Sequence, residues 1–324
     1  MFIKAVTDDR QVLFATIDRP TTMDHFADRL MEGIRRCGTP LIVGIDPRWD
    51  PLPGDLKSET DASCPEGVAA AFARFGCGIV DVVAGLVAAV KPQVAFFEAL
   101  GPPGMQALKQ VIDQARDREL LVILDGKRND IGSTAEAYAR GWLGSDSPWG
   151  CDALTVNAWM GEDSMQPFLE RARQSGSGLF VLVRTSNPGS YQFQELACGD
   201  RRVYQHVADW VQQTAAATRG QSGYGLAGAV VGATHPEHLG ELRKAMPNTL
   251  FLVPGYGAQG GRAADLASVF DSAGQGAVIN SSRAIIFAAN QPQYAAAPAW
   301  QDAVRQATLD AREELAACVQ PRPV

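Results

Sequence analysis

Short apolar runs bounded by turn residues recur along the chain and predict its strands. Most of these runs are rich in Val, Ile and Leu, and their apolar positions are continuous rather than alternating. Continuous apolar character is typical of strands that are buried on both faces of a parallel sheet covered by helices. The predicted strands are Leu41–Ile45, Leu86–Val90, Leu120–Leu124, Ala153–Val156, Leu179–Val183, Ala229–Val231, Leu250–Val253 and Ala277–Ile279.

Longer amphipathic stretches lie between these runs and predict helices. They include Val68–Val83, Met105–Asp117, Thr134–Leu143, Ser164–Gln174 and Arg201–Thr218. The repeated alternation of strand and helix predicts an α/β protein with a (β/α)8 TIM barrel over residues 41–288. An open, doubly wound sheet is the alternative. A G-x-G-x-x-G motif does not follow the first strand, and this weakens the case for a dinucleotide-binding sheet.

Two segments fall outside the predicted barrel. Residues 1–40 are expected to form an N-terminal extension, in which Val12–Ile17 suggests an added strand or a loose arm. The amphipathic segment Phe26–Ile34 predicts a helix that caps the barrel floor. Residues 289–324 are expected to form a helix over Trp300–Val319 that packs on the barrel, followed by a tail that frays.

Composition narrows the functional classes. The 324 residues are 46% hydrophobic and 20% charged, as in a globular enzyme with a large core, and the net charge of −7 disfavours nucleic-acid and membrane-surface partners. The chain lacks a long uninterrupted apolar stretch, and charged residues at 8–10 disfavour a signal peptide. Six scattered cysteines without C-x-x-C or metal-like spacing predict reduced thiols, no metal and a cytoplasmic location.

Charged residues follow three consecutive predicted strands. Asp46 follows the first, Lys91 the second, and the segment Asp125–Asp130 ends the third. Catalytic groups of a TIM barrel lie at the carboxyl ends of its strands. The i, i+2 spacing predicts that Asp125 and Lys127 point to the same side, where alternating cations and anions can keep each other charged. For any one of these residues, a solvated loop side chain is the alternative.

The loops after the last two strands contain a second group of candidates. In this fold they usually form a phosphate site. Pro254 is followed by a glycine-rich stretch that contains Gln259, and Arg283 lies just beyond the last strand. Glycines let backbone N–H groups approach an anion, and the planar guanidinium of arginine can bind phosphate through two hydrogen bonds. The alternative is that the glycines serve only a tight turn.

These motifs resemble those of a known family. The segment Asp125–Gly132, with sequence DGKRNDIG, resembles the D-x-K-x-x-D-I-G signature of orotidine 5′-phosphate decarboxylases. Lys91–Glu98 (KPQVAFFE), Thr185–Gly189 (TSNPG) and Pro254–Gly257 (PGYG) resemble the longer bacterial subgroup. The resemblance extends roughly from strand one to strand eight, and it departs from the family at Gly126, where Ala is common.

The resemblance implies decarboxylation of orotidine 5′-phosphate to UMP, in de novo pyrimidine biosynthesis and without a cofactor. It implies that Lys127 delivers a proton to C6 and that Asp125 lies against the substrate carboxylate. Asp46 and Lys91 would bind the ribose hydroxyls, with Lys91 also part of the charged array.

The resemblance also implies a homodimer with shared active sites. Asp130 and Thr134 would reach the site of the partner subunit. The remaining substrate contacts would be Ser186 at the pyrimidine, Gln259 and Arg283 at the phosphate, and Pro254. A tyrosine that closely follows the phosphate glutamine in some relatives is missing here, and Tyr256 precedes that glutamine instead.

Three other functions remain as alternatives. Magnesium-dependent sugar-phosphate decarboxylases share the barrel and the D-x-K-x-x-D core, and Glu98 is the nearest candidate for their additional carboxylate. A Schiff-base aldolase could use Lys91 or Lys127, although adjacent carboxylates favour the ammonium form of a lysine. A non-catalytic nucleotide-binding barrel would be expected to lack one of four charged motif residues. All four are present, namely Lys91, Asp125, Lys127 and Asp130.

Overall fold

Eight parallel strands close into a barrel in a computed structural model that describes residues 25–58, 60–233, 236–255 and 266–319. Strand β1 pairs with both β2 and β10, so the predicted TIM barrel is confirmed and the open sheet is wrong. The barrel strands are β1 (Leu41–Ile45), β2 (Ala89–Pro92), β3 (Leu121–Arg128), β4 (Ala153–Val156), β5 (Gly178–Arg184), β8 (Ala227–Val231), β9 (Phe251–Pro254) and β10 (Ala277–Ser281). A separate antiparallel hairpin consists of β6 (Ala197–Cys198) and β7 (Arg201–Arg202).

Helices surround the barrel, and each of the five predicted between strands is present with its ends shifted by a few residues. The described helices are α1 (Phe26–Cys37), α2 (Gly54–Lys57), α3 (Pro65–Val83), α4 (Val94–Glu98), α5 (Gly101–Asp117), α6 (Gly132–Trp142), α7 (Glu162–Ser175), α8 (Tyr191–Gln194), α9 (Val203–Ala217), α10 (Pro236–Ala245), α11 (Arg283–Ile286) and α12 (Trp300–Ala316). None of the helices in the described ranges is long and apolar enough to span a bilayer.

Most strand boundaries differ from the prediction by one or two residues, and the differences at β2 and β3 change where the charged residues lie. Strand β2 begins at Ala89 rather than Leu86, because residues 84–86 form the turn after α3, where Gly85 has a φ of 73°. Lys91 therefore lies inside the strand and not after it. Strand β3 continues to Arg128 instead of ending at residue 124, so the charged motif is part of the strand itself.

Helix α1 closes the floor of the barrel, as its amphipathic pattern predicts. Phe26 is buried and meets the ring of Phe180 edge-to-face, with ring centroids 6.0 Å apart. A Cβ at Gly178 would come within 2.1 Å of the Phe26 ring, so this close approach of helix to strand requires glycine. The predicted strand or arm within residues 1–24 lies outside the described residues.

The C-terminal helix packs against the outside of the barrel. Trp300 is buried at its start, and its ring centroid lies 5.3 Å from that of Phe75 on α3. Helix α12 ends at Ala316, three residues before the predicted end at Val319, and residues 320–324 lie outside the described residues. All six cysteines are free thiols.

Candidate active site

A buried carboxylate, that of Asp125, is the centre of the charged cluster at the carboxyl ends of the strands. Its Oδ2 accepts hydrogen bonds from Nζ of Lys91 at 2.7 Å and from Nε2 of Gln93 at 2.8 Å. Its Oδ1 accepts from Nζ of Lys127 at 2.6 Å and from Oγ1 of Thr155 at 3.0 Å. Each oxygen thus has two donors, and the predicted convergence of Lys91, Asp125 and Lys127 is observed. We call these five residues the Asp125 cluster.

The cluster holds its charges in a largely dry environment. Burial by itself would raise the pKa of Asp125, but the charges of Lys91 and Lys127 and their hydrogen bonds outweigh it and hold that pKa well below its usual range. Burial would likewise lower the pKa of Lys91, yet the carboxylates of Asp125 and Asp46 raise it overall. The Lys91–Asp125 pair is therefore ionised across the physiological pH range.

The backbone that carries Lys127 is irregular. The register of β3 against β4 shifts between residues 124 and 128, so residues 125–127 all lie opposite Thr155. Lys127 has a φ of 47°, in the left-handed region of backbone conformation that residues other than glycine rarely adopt. Asp125 and Lys127 do meet on one side, but the predicted reason, regular extended spacing, is wrong. The β-bulge brings them together.

A cavity of about 480 Å³ opens beside the cluster. Asp46, Gln93, Phe96, Lys127 and Arg128 are among the residues that line it. The side chain of Lys127 is 48% exposed, so its ammonium is accessible from the cavity. Oδ1 of Asp46 is buried and has no hydrogen-bond partner among the described residues, which leaves an acceptor available to a ligand hydroxyl. A larger cavity of about 560 Å³ lies at the opposite, floor end of the barrel, beside α1.

The carboxylate that the magnesium alternative would use is already engaged. Glu98 forms an ion pair with Arg128, whose Nη1 also donates to the carbonyl oxygen of Gly126 at 2.9 Å. The same guanidinium lies over the rings of Tyr138 and Trp142. Within the part of the chain that the structure describes, no three His, Cys, Asp or Glu side chains converge as a metal site. Glu98 therefore neutralises Arg128.

Other predicted substrate contacts also lie at the carboxyl ends of the strands. Ser186 follows β5 and approaches Gly232 at the end of β8, where a Cβ would come within 2.7 Å of the Ser186 nitrogen. Pro254 ends β9, and Arg283 begins α11 with an exposed side chain. Gln259 lies outside the described residues, as does the neighbouring Tyr256.

The two residues expected to act in the partner's site, Asp130 and Thr134, make no hydrogen bond to the Asp125 cluster among the described residues. Asp130 accepts a hydrogen bond from the N–H of Ile131 at 2.8 Å and has no ion pair with another described residue. Thr134 is exposed on α6. Large apolar side chains are exposed on the segments that follow β3 and β4, namely Ile131, Tyr138, Trp159 and Met160.

Sequence reasoning assigned no role to two members of the cluster. Gln93 belongs to the KPQ motif that the family resemblance rests on, but its contact with Asp125 depends on the pairing of neighbouring strands. Thr155 is a lone hydroxyl within the apolar run Ala153–Val156 and is buried. A polar side chain inside an otherwise apolar strand was the signal that could have marked it, because buried polar groups need partners.

Residues 39–298 match the family model described as "Orotidine 5'-phosphate decarboxylase / HUMPS family". The chain belongs to this family. The match covers the whole barrel from the residues before β1 to those after α11, so the family assignment and the fold agree.

Two curated relatives and one solved structure are similar to this chain over most of its length. The orotidine 5'-phosphate decarboxylase of Rhodopirellula baltica is 50% identical over 300 residues, which cover 90% of this chain and 99% of that protein. The orotidine 5'-phosphate decarboxylase of Deinococcus radiodurans is 40% identical over 290 residues, covering 90% and 96%. The structure of Leishmania donovani OMP decarboxylase superposes with a TM-score of 0.71 at 33% identity, covering 91% and 98%.

Proposed function

We propose that the protein decarboxylates orotidine 5′-phosphate to UMP and carbon dioxide, a step of de novo pyrimidine biosynthesis, with Lys127 as the proton donor. Family membership and the names of the relatives support the reaction. The observation that carries the mechanism is the buried Asp125 carboxylate between the ammonium groups of Lys91 and Lys127 at the barrel mouth.

The chemistry requires stabilisation of a carbanion. When the bond between C6 and the carboxylate carbon breaks, the electron pair stays in an sp² orbital at C6, where the ring cannot delocalise it. A preorganised cation is the strongest stabiliser of such a charge. The Lys127 ammonium supplies that cation and then the proton that forms the new C6–H bond. Asp125 orients Lys127 and lies against the substrate carboxylate.

Substrate binding is distributed over the strand ends. Oδ1 of Asp46, which has no hydrogen-bond partner among the described residues, accepts a ribose hydroxyl, and Lys91 contacts the ribose from the neighbouring strand. Ser186 contacts the pyrimidine. Gln259 and Arg283 hold the phosphate, and Pro254 is a further substrate contact. Binding energy from the remote phosphate can stabilise the transition state by driving closure of loops over the site.

The active protein is an obligate homodimer in which Asp130 and Thr134 complete the site of the partner subunit. Neither residue has a hydrogen bond or ion pair with the Asp125 cluster among the described residues, and exposed apolar side chains lie on the same segments. Apolar surface of this kind is typical of a protein interface. In a two-fold interface each chain would donate its Asp130 reciprocally.

The domain organisation, cellular location and cofactor requirement of the enzyme complete the proposal. The catalytic unit is the barrel of residues 41–288, flanked by an N-terminal segment of residues 1–40 and a C-terminal segment of residues 289–324. The free cysteines and acidic net charge suit a cytoplasmic protein without nucleic-acid or membrane partners. We expect no cofactor requirement, because the proposed carbanion is stabilised by a side-chain cation.

A single assay tests the reaction against its alternatives. Purified protein is mixed with orotidine 5′-phosphate in EDTA, and the loss of substrate absorbance is followed, with Lys127→Ala as the inactive control. We expect turnover by the wild type that added Mg²⁺ does not change. Activity only after magnesium addition would point to the magnesium-dependent sugar-phosphate decarboxylases. Covalent trapping of the substrate on a lysine by borohydride would point to a Schiff-base enzyme. The absence of turnover under all conditions would favour a non-catalytic barrel.

A further inference from the structure

The hydroxyl of Thr155 connects both ends of the bulge that carries Lys127. Its Oγ1 accepts a hydrogen bond from the backbone N–H of Lys127 at 2.9 Å and donates one to Oδ1 of Asp125 at 3.0 Å. Thr155 is 1% exposed, so water does not substitute freely for either contact. One side-chain oxygen therefore links the main chain of the proposed proton donor to the carboxylate that orients its ammonium.

The bulge needs such a link because the regular sheet hydrogen bonds are interrupted there. Residues 125–127 of β3 all lie opposite Thr155 of β4, and regular pairing resumes only at Arg128. The left-handed φ of Lys127 is unfavourable for a side chain with a Cβ and persists only where surrounding contacts enforce it. The Thr155 hydroxyl supplies the hydrogen-bond acceptor that the displaced N–H of Lys127 would otherwise lack.

We propose that Thr155 is a positioning residue, whose hydroxyl sets the geometry of Lys127 and Asp125 without touching the substrate. This inference rests on the proposed decarboxylation. Thr155 contacts the two residues that the mechanism uses. Its Oγ1 and the Lys127 ammonium both donate hydrogen bonds to Oδ1 of Asp125. Loss of the hydroxyl frees the bulge to relax and moves the ammonium away from C6. Small displacements of this kind are costly for catalysis.

The test compares two pairs of variants that differ mainly in the hydroxyl. Thr155→Val has the same shape as the wild-type threonine, and Thr155→Ala is compared with Thr155→Ser. We expect the hydroxyl-bearing member of each pair to have a kcat about 10- to 100-fold higher. The Kd for UMP should change by less than about twofold, because ground-state binding does not depend on the position of the proton donor. Thr308→Val is the matched control, since Thr308 is also buried and donates to the carbonyl oxygen of Val304, in α12.

Hydrogen exchange separates this inference from the proposed function. The amide of Lys127 should exchange faster in Thr155→Val than in the wild type, while amides in the centre of β5 remain unchanged. An inactive wild type would overturn the proposed function, and the exchange measurement would still report on the link. Equal kcat values within each pair, an equal loss in Thr155→Ser and Thr155→Ala, or unchanged exchange at Lys127 would overturn the role of Thr155.

Discussion

Nζ of Lys91 lies 2.7 Å from Oδ2 of Asp125, and the exposed fractions of the two side chains are only 5% and 12%. Lys127 contacts the other oxygen of the same carboxylate, but its side chain is 48% exposed. The two lysines therefore stand in different environments. Lys91 is part of the packed interior, whereas Lys127 faces the cavity, and this difference separates their expected contributions to stability and to catalysis.

Removal of Lys91 is expected to destabilise the fold. In Lys91→Met, Asp125 stays buried with one of its cations missing, and breaking a buried pair in this way costs about 3 kcal/mol. The free energy of unfolding in urea measures the effect. Lys109→Met is the control, because the side chains of the Lys109–Asp113 ion pair on α5 are 39% and 46% exposed and its loss should cost less than about 0.5 kcal/mol. Equal free energies of unfolding for the two variants would contradict the stabilising role of the buried Lys91–Asp125 ion pair.

Removal of Lys127 is expected to affect catalysis and leave the fold intact. Without the proton donor and the nearest fixed cation, kcat of Lys127→Ala should fall at least about 100-fold. The unfolding free energy should change by less than about 1 kcal/mol, since the side chain is half exposed. Steady-state kinetics gives kcat, and urea unfolding of the same preparation gives the free energy of unfolding. Retention of a tenth or more of wild-type kcat would rule out a central role for Lys127.

Stability should depend on pH through Asp125. Its pKa is depressed in the folded state, while the unfolded value is about 4. Below that pH the unfolded chain takes up a proton that the folded chain does not, so the stabilisation by the carboxylate is present above pH 4 and shrinks as the pH falls further. The difference in unfolding free energy between the wild type and Asp125→Asn should therefore be constant from pH 5 to 7 and narrow below about pH 4. A difference that stays constant down to pH 3 would speak against a depressed pKa.

Arg283 is expected to act on the phosphate. Arg283→Ala should weaken UMP binding by about 2 kcal/mol or more while uridine binding stays nearly unchanged, because a charge-assisted pair with phosphate is lost only for the nucleotide. Calorimetric titration of both ligands gives the ratio of affinities. Arg305→Ala, at an exposed position on α12, is the matched control. If the ratio for Arg283→Ala equals that for the wild type, Arg283 is not a phosphate ligand.

Shared active sites can be tested by mixing subunits. Asp130→Ala and Lys127→Ala should each be inactive as homodimers. If every site takes Asp130 from the partner, a mixed dimer has one site with both defects and one with neither. Activity should then recover to about one quarter of the wild-type level per subunit after random reassembly. Mass spectrometry confirms that exchange has occurred, and exchanged mixtures without recovery would place Asp130 in the site of its own chain.

The local pattern of the sequence was sufficient to predict the barrel and the order of its charged strand ends. A strand buried on both faces needs a continuous apolar run, and such runs are readable without knowledge of the fold. The alternation of runs and amphipathic stretches then implied which ends would meet. For this reason the sequence by itself predicts that Lys91, Asp125 and Lys127 lie together, as they do in the structure.

Only the tertiary structure decided how those residues meet. The bulge of β3 arises from its register against β4, and the contacts of Gln93 and Thr155 with Asp125 join residues 32 and 30 positions apart. Register depends on the pairing and packing of neighbouring strands, which no short window of sequence contains. The sequence therefore determined which chemical groups are present at the barrel mouth. The pairing of strands determined the left-handed turn at Lys127 and the hydroxyl that holds it.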